Sequence, residues 1–300
     1  MITRNSIYGT PWIDMENPTA EDIHAIINEF GIDESCAVEL MHPSLRTKVD
    51  RYDHFLFLVL HFPDHPAHNT TGTIEIDFVV HKDYLITVRY GHVDTLMVFE
   101  KKHALANKST PTPTHGGTVF AMILSELYHG LTEELSLIKK DINRVEVQIF
   151  AQTDAHISKK LLVIHRKLLD CRSALRFHTD VLASYETESL KLFGKSYEDS
   201  LRVINNAYYR MTTLLDTSRE INHELRETYD ALLTHTTNKV MKTLTLMSFI
   251  TFPLTLLVAV ATFPGAPSSW HTEHGFYILI ATIIMIGAIL ILFFRKKDWL

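Results

Sequence analysis

Three observations predict an α+β domain followed by long helices and two C-terminal transmembrane helices. Between Lys242 and Arg295 lie 52 residues, and Glu273 is the only Asp, Glu, Lys or Arg among them. Residues 131–193 and 195–252 contain neither Gly nor Pro, so nothing punctuates long helices there. The first hundred residues instead set short apolar runs between turn residues. With 46% apolar and 21% charged residues in 300, a disordered or collagen-like chain is excluded.

The elements follow in chain order. Thr19-Ala20-Glu21-Asp22 has the form of a capping box, opening a helix that ends near Gly31. The unbroken apolar run from Phe55 to Leu60 predicts a buried central strand. Residues 73–80 place Ile74, Ile76, Phe78 and Val80 on one face, turn at His81-Lys82-Asp83, and return through 84–90 as a hairpin. The α/β domain is therefore assigned to residues 1–106, and a linker with Pro111 and Pro113 to 107–117. A helical stalk spans 118–242. Within it a break near Thr153-Asp154 separates two antiparallel helices, and Ser196-Tyr197-Glu198-Asp199 starts a helix with no stop signal before Pro253. Such a helix, running to about residue 262, is about 100 Å long and needs lateral partners, which points to several chains in a bundle.

The apolar tail divides at Pro264-Gly265-Ala266-Pro267, which no helix continues through. Residues 243–262 and 276–294 each supply the roughly 20 residues that cross a bilayer. Residues 263–275 form the external loop, and 295–300 a basic cytoplasmic tail. Lys239, Lys242, Arg295, Lys296 and Lys297 flank the cytoplasmic ends, while the loop has no Lys or Arg, which places both termini inside.

Several chemistries find no residues to carry them. A net charge of −6, with no Lys/Arg run interleaved with aromatics, argues against nucleic acid as a partner. Cys36 and Cys171 fit neither a zinc motif nor a disulfide framework, so the bulk is expected to be cytoplasmic. Residues 1–10 lack the apolar core of a signal peptide. No Gly-rich phosphate loop and no Gly-x-Ser-x-Gly occurs, so no enzymatic activity is expected. His61, His65 and His68 offer imidazoles for a zinc-like ion, but a solvated loop between strands is the favoured assignment. His271, Glu273 and His274 pose the same choice at the outer loop, and again a polar loop is favoured. Cys171 is expected in the core, and Glu133, Glu134, Lys139, Lys140 and Asp141 on a solvated helix face.

Two helices cannot enclose a water-filled path, so transport would require an oligomer. The first span offers a stripe for it: Asn238, Met241, Thr245, Ser248, Phe252, Thr255, Ala259 and Thr262 recur at alternating steps of three and four. This is the polar or small face. The opposite side is assigned Leu244, Leu246, Phe249, Leu256, Leu257 and Val260. Packed membrane helices use small and hydroxyl residues at the same spacing, so lining a pore and packing on a neighbour both remain open. Pro253 leaves the carbonyl of Phe249 without its donor, and such oxygens suit hard cations. The second span has only Thr282 and Gly287 of this kind and reads as the lipid-facing outer ring.

Over most of its length the chain resembles the CorA family of divalent-cation transporters. His42-Pro43-Ser44-Leu45-Arg46-Thr47-Lys48-Val49, followed by Arg51-Tyr52-Asp53-His54-Phe55, resembles the family's cytoplasmic domain. Asn238-Lys239-Val240-Met241-Lys242-Thr243-Leu244-Thr245 and Phe252-Pro253-Leu254-Thr255 resemble its pore helix, and Arg295-Lys296-Lys297-Asp298-Trp299-Leu300 its basic end. The resemblance implies a funnel-shaped homopentamer in the cell inner membrane, with the lipid bilayer, its own copies and divalent cations as partners. It puts the pore constrictions on Met241, Leu244, Phe252 and Thr255, with Asn238 at the cytoplasmic entrance. It also implies ion sensing by acidic side chains between subunits, for which Glu227 and then Asp230 are the positional candidates. No covalently bound cofactor is implied; the divalent cation, Mg2+ first and Zn2+ second, is substrate and regulator.

One departure stands out. Where family members carry Tyr-Gly-Met-Asn, this chain has Ala261-Thr262-Phe263-Pro264, so Thr262, Phe263 and Pro264 form the outer mouth without the amide ring. The expected function is a CorA-like transporter of Mg2+ gated by cytoplasmic ion binding. The alternatives are a non-conducting regulator and a channel of altered selectivity for Zn2+, Co2+ or Ni2+.

Overall fold

The computed structural model describes residues 1–44, 46–64, 72–106, 115–151, 156–263 and 273–296. Leu45, the histidines His65 and His68, most of the expected linker, the Thr153-Asp154 break, Pro264, His271 and the last four residues lie outside the described residues. The chain forms two compact units, Met1–Leu225 and Arg226–Leu300.

The first unit is built on strands β1 (Ile2–Ile7), β2 (Thr10–Glu16), β3 (Lys48–Arg51), β4 (Phe55–Pro63), β5 (Thr73–His81) and β6 (Leu85–Arg89). They form one sheet in the order β1-β2-β6-β5-β4-β3. Among the described residues only the β2–β6 pair is parallel, with Trp12 opposite Leu85. The first two strands were not predicted from the sequence; they join at Tyr8-Gly9. Both residues have positive φ, 48° and 88°, as a two-residue hairpin turn of matching twist requires. The run from Phe55 to Leu60 is buried as predicted, but β4 lies one strand inside the edge, and β5 and β6 hold the centre.

Both faces of the sheet are covered, so the single apolar face expected for residues 73–80 is half of the picture. One face carries helices α1 (Ala20–Phe30) and α2 (Glu34–Leu40), which bury Ile23, Ile26, Ile27, Cys36 and Leu40 against Ile13, Phe57, Val59, Val79 and Val88. The capping box is present: Thr19 Oγ1 accepts from the Asp22 N–H (3.2 Å), and Asp22 Oδ2 accepts from the Thr19 N–H (3.0 Å). Gly31 ends α1 at φ 64°, a left-handed conformation that glycine adopts without strain.

The other face carries α3 (Asp94–Ala106), α4 (Gly116–Ala151), α5 (Ile157–Ala174) and α6 (His178–Phe193). Phe78 meets Phe120 edge-on at 5.1 Å, and Trp12 meets Phe99 at 5.6 Å. Because α4 to α6 pack on the sheet, the compact unit continues to Leu225, well past the linker expected at 107–117. Two antiparallel helices were expected in residues 131–193, yet the described residues there belong to three, with an unpredicted turn at 175–177. No Gly or Pro marks that turn; long-range hydrogen bonds hold it. His178 is fully buried, its Nε2 donating to the His61 carbonyl (2.8 Å) and its Nδ1 accepting from the Tyr128 hydroxyl (2.9 Å). Burial lowers the His178 pKa to about 4, so the ring is neutral, as one donated and one accepted bond demand.

A single 3-10 turn (Lys195–Tyr197) leads into the longest element, α7 (Glu198–Ala261, 64 residues). The uninterrupted helix predicted from Ser196 to about residue 262 is present. Tyr197 donates to the Gly117 carbonyl (2.8 Å) and meets the Tyr185 hydroxyl at 2.7 Å, tying the starts of α4 and α7 to α6. Cys171 is in the core as expected, and burial pushes its thiol up to about 12.

Gly116 opens α4 so close to the hairpin turn that a Cβ there would lie 2.1 Å from the His81 carbonyl oxygen. Backbone cannot yield as a flexible side chain does. Gly116→Ala is therefore expected to destabilise this unit by about 3 kcal/mol, read as a lowered thermal transition in near-UV circular dichroism.

Candidate functional site

The second unit consists of the end of α7 and α8 (Glu273–Lys296). The two helices touch along apolar faces. Leu246 (7% exposed) and Phe294 are buried, and the rings of Phe249 and Phe294 lie 6.3 Å apart. Ile250, Pro253, Leu254 and Leu257 are half-buried on α7, as are Leu279, Thr282, Ile283, Ile286, Gly287 and Leu290 on α8. Thr282 and Gly287 thus belong to the face of α8 that packs on α7, because a small residue lets helices approach.

The stripe read from the sequence points elsewhere. Asn238, Met241 (57%), Thr245, Ser248, Phe252 (75%), Thr255, Ala259 and Thr262 are all exposed, on the side of α7 away from α8. Leu244, placed by the family resemblance, flanks the stripe and is exposed too. The side assigned as opposite is only partly so: Leu246 and Leu257 face α8, but Leu244, Phe249, Leu256 and Val260 are exposed. A helix pair has only one mutual interface, so the remaining apolar residues are left for lipid.

Counting back along α7 by the same steps reaches Thr234, Ala231, Glu227, Glu224, Glu220, Thr217 and Thr213, and each is exposed. Glu220 and Glu224 were missed by sequence reasoning, although extending the three-and-four count would have found them. Asp230 is exposed beside this register, and its carbonyl accepts from the Thr234 hydroxyl at 2.9 Å. Among the described residues of one chain, no three His, Cys, Asp or Glu side chains come together as a metal site.

The hydroxyls of the stripe have a defined polarity. Thr245 Oγ1 donates to the Met241 carbonyl (2.8 Å), Ser248 Oγ to that of Leu244 (3.0 Å), Thr255 Oγ1 to Phe252 (2.9 Å) and Thr262 Oγ1 to Val258 (2.9 Å). Each proton is spent on the helix's own backbone, and the oxygen presents lone pairs outward. Such a surface accepts hydrogen bonds. It matches a hydrated cation, whose first-shell waters point their protons outward. After the C-terminal end of α7, Thr262 and Phe263 are exposed. His61, expected in a loop, is instead in β4 and held by Glu75 and Ser44.

The family model described as CorA-like Mg2+ transporter protein matches residues 9–296. The chain belongs to this family. Relatives are distant but span its whole length. The cobalt/magnesium transport protein CorA of Methanocaldococcus jannaschii is 20% identical over 98% of this chain and 92% of that protein. The protein of the same name from Thermotoga maritima is 21% identical over 96% of this chain and 83% of its own. Among solved structures, the complete CorA magnesium transporter of M. jannaschii superposes with a TM-score of 0.80 at 18% identity, covering 97% of this chain and 92% of that one. The full-length CmaX protein gives 0.75 at 17% identity, covering 97% and 89%. The CorA fold is thereby shown for this chain, with an N-terminal α/β part, a long helix and two C-terminal helices long and apolar enough to cross a membrane. Its named relatives are transporters rather than enzymes.

A Cβ at Gly287 would stand 3.8 Å from Leu254 Cδ1, an ordinary contact. Gly287→Ala is expected to be neutral, whereas Gly287→Leu should force α8 off α7 at a cost of about 2 kcal/mol, measured as thermal stability in mild detergent.

Proposed function

We propose that this chain is a divalent-cation transporter that works as a ring of copies, with the three-and-four stripe of α7 turned toward the common axis. One observation carries this reading: the stripe is polar or small, is exposed, and lies opposite the face that α8 covers. Facing lipid would waste its hydroxyls, since acyl chains offer no proton and no charge. Facing copies of itself, it lines a path with acceptors. The membership in the CorA family supports Mg2+ as the first ion, and five copies are what the family resemblance implies. Lys239, Lys242, Arg295 and Lys296 at one end of the spans favour cytoplasmic termini in the inner membrane.

Along that path Asn238 stands at the cytoplasmic entrance, with Met241, Leu244 and Phe252 as apolar constrictions and Thr245, Ser248, Thr255 and Thr262 as acceptor rings between them. Apolar rings hinder a hydrated ion unless they widen, which makes them natural gates. Glu227 and Asp230 are the proposed regulatory ligands. Among the described residues of one chain no cluster of three His, Cys, Asp or Glu forms there; in a ring of copies a neighbour would supply further ligands, and occupancy would then report cytoplasmic ion by drawing copies together.

A second reading concerns selectivity. The sequence Ala261-Thr262-Phe263-Pro264 offers no amide at the outer mouth, which favours weaker discrimination among Mg2+, Zn2+, Co2+ and Ni2+. In liposomes holding a Mg2+ indicator, the wild-type chain is expected to admit Mg2+, and Thr255→Leu to slow uptake about tenfold, a barrier of about 1.4 kcal/mol. Leu257→Val, on the face toward α8, should leave the rate unchanged. Absence of flux for all four ions, or a monomer in mild detergent, would overturn the proposal. Glu227→Gln is expected to weaken closure, so that uptake persists when Mg2+ is high inside the vesicle.

A further inference from the structure

The least comfortable group in the first unit is the carboxylate of Asp77. It is 1% exposed, and neither oxygen has a hydrogen-bond partner among the described residues. In register it stands between Val59 of β4 and Val88 of β6. Two residues away on the same face of β5 is Glu75, also buried at 4%. An isolated buried anion costs several kcal/mol, and two side by side cost more.

The charged and titratable groups that face this pair are few. From α2 come Cys36 and Glu39, from β3 Lys48 and Asp50, from β4 His61, and after β6 Tyr90. The one lysine is already claimed, since Lys48 Nζ pairs with both Glu39 and Asp50. His61 Nε2 lies 3.1 Å from Glu75 Oε2 and 2.8 Å from the Ser44 carbonyl, and Thr47 Oγ1 is 3.1 Å from its Nδ1. Glu75 Oε1 accepts from the Ser44 N–H at 2.8 Å. Glu75 is thus held by donors, while the Tyr90 hydroxyl, the one that faces Asp77, gives its proton to the Leu40 carbonyl at 2.6 Å and leaves Asp77 with no committed donor.

We propose that Glu75 and Asp77 form a buried proton-binding site that holds one proton at neutral pH, and that this proton keeps the connector between α2 and β3 fastened through Ser44. Asp77 carries the proton and Glu75 the charge, so the core holds one anion, matched by His61 and the Ser44 amide. Loss of the proton places a second anion beside Glu75. The strain falls on the bonds Glu75 makes, which are the ones that hold the connector. Burial, and then the charge of Glu75, push the Asp77 pKa well above the usual carboxylate range. The hydrogen bond to Glu75 raises that of His61.

The sign follows by linkage. Both folded pKa values are raised, so the stabilisation is complete below the unfolded values and is lost as pH rises through the folded ones. The connector therefore loosens on the alkaline side.

The test uses the full chain in detergent. Infrared difference spectra between wild type and Asp77→Asn at neutral pH should show a protonated-carboxyl C=O band that the variant lacks. Hydrogen exchange of the peptide covering 41–48, corrected for intrinsic rates, should rise about tenfold between about pH 6 and pH 9 in wild type and stay flat in Asp77→Asn. If Asp77→Asn does not fold, Glu75→Gln decides: with the neighbouring charge gone, the band should disappear at lower pH than in wild type. No protonated-carboxyl band at neutral pH, or wild-type exchange at 41–48 that ignores pH, would overturn the proposal.

Discussion

A pair of helices cannot surround water within a bilayer, so any water-filled path along α7 would need further copies of the chain. Every backbone polar group in hydrocarbon must be satisfied inside the segment, so the spans are helices. One helix face can then be covered by a single partner, which α8 does through Leu246, Leu254 and Phe294. The face left over is not a random remainder. It is the polar one, and it keeps the three-and-four spacing that lets copies of a helix meet along a seam.

The chemistry of that face depends on a small detail of hydrogen bonding. A threonine in a membrane helix usually returns its proton to a carbonyl one turn back, and here Thr245, Thr255 and Thr262 all do. The consequence, from Thr245 to Thr262, is a row of hydroxyl oxygens that accept and have no proton left to donate. It suits cations and the outward protons of their hydration water, and it disfavours anions. Discrimination among divalent ions is another matter. Hydroxyl oxygens on a helix are spaced by the helix rather than by the ion, so a path lined this way has less to set Mg2+ apart than a ring of amides would.

In the Met1–Leu225 unit, buried polar groups decide the detailed arrangement. Tyr128, His178 and the His61 carbonyl join α4, α6 and β4, while Tyr185, Tyr197 and the Gly117 carbonyl join α6, α7 and α4. Each group has a partner, so these networks specify how α4, α6 and the turn before α7 pack together. Among the described residues Asn5, Ser218, Asn222 and Asp77 each bury a side-chain atom without a partner, and of these only Asp77 can meet the lack by holding a proton.

Much of this was legible in the sequence, for local reasons. The capping box at Thr19 needs only residues three apart. The hairpin at 81–84 follows from period-two patterning, and the spans from an almost uncharged run of 52 residues. The stripe on α7 was visible because helical period is a local property. Other features depend on distant residues. The turn at 175–177 is fixed by His178 reaching a carbonyl 117 residues away, and no composition signal marks it. That His61 is a strand residue, that Leu256 and Val260 do not face α8, and that Asp77 has no donor are outcomes of packing. Sequence alone settled the capped first helix, the strands β4 to β6, the long helix α7 and the two apolar spans, because those follow from spacing along the chain. Only the tertiary structure decided which helix face is covered and which buried group goes unpaired, because both depend on residues brought together from far apart.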